Sequence, residues 1–147
     1  MNTIEKKLAH RLASSPVINS EMAMRSLCYE RAAYHPLTYL ACPYSHKKAS
    51  VRKARFLAAT KATKYLMESE GLNVFSPITH SHPLHEIGMR GDWEFWKKVD
   101  IEYLRLSEKL VVLMADGWLE SVGVQAEIKI ALSMGIPVEY LKMGIGE

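Results

Sequence analysis

The stretch Ser121-Val122-Gly123-Val124-Gln125-Ala126-Glu127 is the first place where residue types and spacing suit chemistry. Ser121 is a good N-cap, and Gly123 leaves the first helical turn open to close approach by backbone or ligand. A helix start presents free N–H groups and a positive dipole end, so it can hold a phosphate or a hydroxyl. Glu127 follows nearly two turns later and faces either a cleft or water. Asp100, within Trp96-Lys97-Lys98-Val99-Asp100-Ile101-Glu102-Tyr103, shares a helix side with Trp93, Trp96 and Tyr103. An acid on an aromatic face needs a partner, such as the backbone of a neighbouring loop, or a reason for partial burial. If both carboxylates line one pocket, they can divide the work as nucleophile and as acid–base or hydroxyl-positioning group.

Two further stretches are candidates for binding. Tyr39-Leu40-Ala41-Cys42-Pro43-Tyr44-Ser45-His46 leaves a strand at Pro43 and places Tyr44, Ser45 and His46 at the rim of a cleft. Arg52 with Ser45 can grip an anion there. Lys47, Lys48, Lys53 and Arg55 read as a solvated basic face, and Cys42 as a small buried hydrophobe. Residues Ser76 to His85 carry His80, His82 and His85, which invites a metal-dependent hydrolase reading sensitive to chelation. No HExxH or paired-cysteine pattern supports a zinc site, so a loop over the site with His80 facing the ligand is preferred. Gly88 and Gly91 suit a mobile lid, while Trp93 or Trp96 either packs in a core or interface or stacks on a planar ring. P-loop, GxGxxG and GxSxG patterns do not occur.

The elements that must position these residues alternate. Strands are expected at Thr38–Cys42, Asn73–Ser76, Lys109–Met114 and Pro137–Leu141, with helices at Ala49–Gly71, Asp92–Ser107 and Ser121–Met134. Such alternation implies a parallel sheet with helices on both faces and a ligand outside the carboxyl ends of the strands. Residues 1–36 read as an appended helical arm with helices at Asn2–Ala13 and Ser20–Ala33, closed by His35-Pro36. Residues 37–147 form the α/β domain.

Composition sets the outer bounds. With 147 residues, 48% of them hydrophobic and 24% charged, the chain suits one domain burying roughly 70% of its unfolded surface. The longest apolar run, Leu110 to Ala115, is far short of the roughly 20 residues of a membrane span. Nineteen Lys and Arg against 16 Asp and Glu give a net charge of +3, too weak for a nucleic-acid polymer surface. Cys28 and Cys42 make no disulfide framework, and the first residues lack an apolar signal core, so a cytoplasmic location is expected.

Residues Thr38 to Leu141, about 70% of the chain, resemble an uncharacterised domain family of bacterial and viral proteins. The resemblance is carried by Tyr39 to Ser45, Phe75 to Pro83, Gly91 to Trp96 and Gly117-Trp118. That family is similar to a branch of the nucleoside 2-deoxyribosyltransferase superfamily, through Tyr39, Asp100 and Ser121-x-Gly123-Val124-x-x-Glu127. The resemblance implies that Glu127 attacks C1′ of a deoxyribosyl group and displaces the base, and that Asp100 orients the sugar or manages the proton on the leaving base. It further implies that Ser121 and the first loop contact a 5′-phosphate where the substrate is a monophosphate. Water takes the sugar in hydrolases, and a second base takes it in transferases. In the monophosphate hydrolases the first loop carries glycine, serine and arginine, where this chain has Cys42, Pro43 and Ser45. Four core strands are counted where the superfamily commonly has five.

The expectation is therefore a flavodoxin-like (Rossmann-like) three-layer sandwich with a mostly parallel four- or five-stranded sheet and an N-terminal helical arm. The expected activity is cleavage of the N-glycosidic bond of a nucleoside or nucleoside 5′-monophosphate, hydrolysis being favoured over transfer. Glu127, Asp100 and Tyr39 are the expected catalytic residues, and Ser45, His46, His80, Ser121, Gly123 and Trp96 the expected ligand contacts. No metal or other cofactor is called for, and the resemblance implies a homodimer or larger homo-oligomer. The rival is a non-catalytic nucleotide-binding or sensing module. The two part on whether Glu127 and Asp100 face one cavity, about 5–8 Å apart as in carboxylate-pair glycosidases.

Overall fold

The computed structural model of the chain describes residues 3, 5–6 and 35–143. The helices expected at Asn2–Ala13 and Ser20–Ala33 lie outside the described residues, save for Thr3, Glu5 and Lys6. Cys28 also lies outside them. The chain divides into two compact units, Met1–His35 and Pro36–Glu147.

The second unit runs β1 (Leu37–Ala41), α1 (Ala49–Glu68), β2 (Asn73–Phe75), α2 (Pro77–Glu86), α3 (Trp93–Leu106), β3 (Ser107–Leu113), α4 (Val122–Ser133) and β4 (Val138–Leu141). The strands form one four-stranded sheet in the order β2-β1-β3-β4, with every neighbouring pair parallel. Tyr39 lies opposite Phe75 in β2 and Leu110 in β3, and Ala41 lies opposite Val112. This is a flavodoxin-like α/β arrangement. Chain order reverses between β1 and β3, so their carboxyl ends flank the crevice where such sheets take a ligand.

Alternation along β1 and β3 explains the two layers of core, because successive side chains point to opposite faces. Leu40, Val111 and Leu113 pack with Ala59, Ala62 and Leu66 of α1 on one face. Tyr39, Ala41, Leu110 and Val112 pack with Leu104 of α3 and with Val124, Ile128 and Ala131 of α4 on the other. Leu40, Leu104 and Leu110 are fully buried, each worth about 1.5–3 kcal/mol relative to exposure.

The strands and three of the helices fall within a few residues of their expected bounds. The exception is Ser76 to His85, expected as a lid-like loop and found as a capping residue followed by a helix. Ser76 caps α2, its Oγ accepting from the Thr79 N–H at 3.4 Å, and Pro77 takes the first helical position, where its missing N–H costs nothing. The histidines therefore stand on a short helix. Similar caps open the other two site helices. Asp92 accepts from the Phe95 N–H at 3.1 Å at the start of α3, and Ser121 accepts from the Val124 N–H at 3.3 Å at the start of α4.

Candidate active site

Beyond the carboxyl ends of β1, β2 and β3 the chain encloses a cavity of about 300 Å³, at the small end of ligand pockets. Cys42, Tyr44 and Ser45 line it from the loop after β1, and Pro77, Ile78 and Ser81 from α2. Gly91, Trp93, Trp96 and Asp100 come from the start and body of α3. Gly117, Ser121, Gly123 and Glu127 come from the loop after β3 and the first turns of α4.

The two expected carboxyls meet here. Asp100 and Glu127 are 7% and 6% exposed, yet both face the cavity. Glu127 sits two turns into α4, whose packed stripe of Val124, Ile128 and Ala131 fixes the helix against the sheet. Tyr39, fully buried on β1, donates its hydroxyl to Glu127 Oε1 at 2.6 Å. Tyr39 supports the carboxyl from beneath, while the cavity lining passes from Glu127 to Asp100 without it. Asp100 takes no hydrogen bond and no ion pair among the described residues.

Burial dominates the electrostatics. Desolvation pushes the Asp100 carboxyl up to about 7. Desolvation likewise pushes Glu127 up to about 8, opposed by the Tyr39 hydrogen bond and reinforced by the like charge of Asp100. The Tyr39 hydroxyl is raised well above its ordinary value, by burial first and then by the two neighbouring carboxylates. Two acids with raised affinity for protons facing one cavity can shuttle a proton near neutrality, and whichever is ionised is a desolvated nucleophile.

Of the expected contacts, Ser45, Trp96, Ser121 and Gly123 line the cavity, and His46 and His80 do not. His46 is exposed, and its Nδ1 accepts from the Lys48 N–H at 3.1 Å. His80 is exposed with its ring edge-on to Trp96 at 6.0 Å, acting from behind the lining. His82 is buried, stacked on Phe56 at 4.2 Å and bonded through Nδ1 to the Tyr44 hydroxyl at 2.8 Å. His85 turns its Nδ1 to the Met89 carbonyl. The three histidines thus serve three different neighbours, and among the described residues no three His, Cys, Asp or Glu side chains converge as metal ligands would.

Arg52 and Arg55 exchange the places expected of them. Arg52 donates to the carbonyls of His46 and Lys47, away from the lining. Arg55, expected on a solvated face, is half-buried and lines the cavity, tying the Ser45 carbonyl at 2.8 Å to the Asp116 carbonyl at 3.2 Å. Gly117, with φ of 85°, is what leaves its guanidinium room, since any Cβ there would collide with Nη2. Tyr44, expected at the rim of the cleft, lines the cavity, and Ser81 lines it unannounced. The signal for Ser81 was positional: it stands four residues after the Pro77 of a Ser-Pro helix start.

Residues 36–143 match the family described as Domain of unknown function (DUF1937). Among solved structures, the chain is similar to the 2-deoxyribosyltransferase of the psychrotolerant bacterium Bacillus psychrosaccharolyticus. The match has a TM-score of 0.53 and 23% identity over 76% of this chain and 74% of that one, a likeness of fold. No curated protein matches the sequence.

Proposed function

The chain belongs to the DUF1937 family, and from the site it carries we propose that it cleaves the N-glycosidic bond of a nucleoside or nucleoside 5′-monophosphate. The observation that supports this reading is the pair of buried carboxyls, Asp100 and Glu127, facing one small cavity with the Tyr39 hydroxyl on Glu127. The likeness of fold to an enzyme named for deoxyribosyl transfer agrees with it.

In the proposed reaction, ionised Glu127 attacks C1′ as the C1′–N bond breaks, and protonated Asp100 gives its proton to the departing base. A glycosyl ester of Glu127 results. Asp100, now ionised, takes a proton from water as that water attacks C1′, freeing the sugar and restoring both carboxyls to their starting states. A carboxylate suits this task because the transition state resembles an oxocarbenium ion, and a covalent intermediate splits one hard displacement into two. Tyr39 donates to Glu127 in its ionised form and so opposes the burial that leaves Glu127 the weaker acid of the two. The reactive state is the tautomer of the singly ionised pair with its proton on Asp100. We favour water over a second base as the acceptor.

Chromatography of free base released from ribo- and deoxynucleosides and their 5′-monophosphates, with and without an acceptor base, tests this. We expect release without acceptor, reduced at least about 10³-fold in Glu127→Ala. Release only with acceptor would make the protein a transferase. Ligand binding with no release under any condition would make it a nucleotide-binding or sensing module.

A further inference from the structure

Ser81 is 7% exposed and lines the cavity, yet its hydroxyl takes no hydrogen bond among the described residues. Serine and threonine inside a helix commonly turn the hydroxyl back to the carbonyl four residues earlier. Thr60 and Thr63 do so in α1, donating to the carbonyls of Phe56 and Ala59 at 2.8 Å. Ser81 does not. Nor is its oxygen sealed away, because Arg52 Nε is the one side-chain polar atom among the described residues that is both sealed and without a partner. The hydroxyl opens on the cavity and waits for a partner that the protein does not supply.

Its neighbours narrow what that partner is. Pro77 and Ile78 lie four and three residues before Ser81, on the same side of α2, and all three line the cavity. Trp93 and Trp96 add rings from α3 to the same lining. Trp96 is fixed in orientation by its Nε1, which donates to the Arg90 carbonyl at 2.6 Å, and by the edge contact with His80. Apolar side chains with one free hydroxyl suit a flat heterocycle bearing a polar ring edge. A sugar, with hydroxyls on several sides, would leave polar groups unpaired against them and belongs with Asp100, Glu127 and Ser121.

We infer that Ser81 is a specificity-determining residue that hydrogen-bonds the ring edge of the nucleobase, with Pro77, Ile78 and the α3 tryptophans flanking the ring. This rests on the nucleoside reading above. It assigns to α2 the choice among bases, separate from the carboxyls that act on the bond.

Ser81→Ala deletes one oxygen and favours helix slightly, so α2 is kept. Quenching of tryptophan fluorescence is titrated in the full-length protein and the variant with the ribo- and 2′-deoxy forms of adenosine, inosine, cytidine and uridine, with their 5′-monophosphates, and with the free base of the best-bound nucleoside. The expected result is about a tenfold weakening for that nucleoside and a similar weakening for its free base, with the melting temperature unchanged. Equal affinities in protein and variant would overturn the inference, as would a loss seen with the nucleoside and not with its free base, which would place the contact on the sugar. If the folded wild-type protein binds no nucleoside, no 5′-monophosphate and no base, the nucleoside reading itself falls and this inference with it, an outcome visible before the variant is made.

Discussion

At the scale of single residues, Tyr39 and Asp100 bear on Glu127 in opposite ways. The Tyr39 hydroxyl favours the ionised carboxyl, whereas the charge of Asp100 and burial favour the protonated one. Tyr39→Phe keeps the ring between Phe75 and the α4 face and removes only the donor at 2.6 Å. Hydrogen bonds to a charged group are worth about 1.5–3 kcal/mol, so kcat for base release should fall roughly tenfold to a hundredfold with little change in KM. A fall in KM-limited binding alone would place Tyr39 on the ligand. Asp100 is expected to declare itself in pH dependence. Ionised Glu127 and protonated Asp100 give a bell-shaped profile of kcat/KM whose limbs, near 7 and 8, belong to the pair. In Asp100→Asn the basic limb disappears, leaving a single acid limb that reports Glu127 alone. A profile unchanged by Asp100→Asn would remove Asp100 from proton transfer.

At the scale of elements, what was legible in the sequence had a period or a cap, and what was not depended on contacts distant in the chain. The apolar run of β3 and the capped helix from Ser121 announced themselves, and so did the ligand side of the sheet. Ser76-Pro77 is a helix-start signature too, but Pro83 and the dense histidines concealed it as a loop. Asp100 and Glu127 could be named from spacing, yet their meeting depends on how α3 and α4 pack. Arg55 was hidden for a similar reason: its partners, Ser45 and Asp116, lie ten and 61 residues away. Gly117 now gives that tie a test. Gly117 and Gly71 both have positive φ, 85° and 65°, but a Cβ meets Arg55 at the first and open space at the second. Gly71→Ala should therefore cost only the backbone strain, about 1–2 kcal/mol in urea unfolding. Gly117→Ala should cost at least about 1 kcal/mol more and should weaken ligand binding as well, because the displaced guanidinium is part of the cavity wall. Equal costs at the two glycines would mean that Arg55 moves aside freely.

At the scale of the whole molecule, a site built from buried acids makes stability depend on pH in an unusual direction. Asp100 and Glu127 ionise near 4 in the unfolded chain and near 7 and 8 in the folded one. Between those limits the folded protein holds protons that the unfolded chain has released, so stability falls as pH rises from about 4 to about 8 and levels off above. The exposed Asp92, held below its ordinary value by its hydrogen bonds to Arg90, works the other way, its contribution being lost only as pH falls below about 4. The two windows are separate. Glu127→Gln keeps an oxygen for the Tyr39 hydroxyl and removes the charge that must otherwise be buried. It should match the wild type in melting temperature near pH 4 and exceed it by at least about 4 °C at pH 9, with a flatter fall between. Parallel curves for the two proteins across that range would show that Glu127 reaches water in the folded state, and the buried-nucleophile reading would go with it. The opposite result would fix the cost of holding this acid beneath the cavity: stability given up above neutrality in the same range where the proposed reaction needs Glu127 ionised.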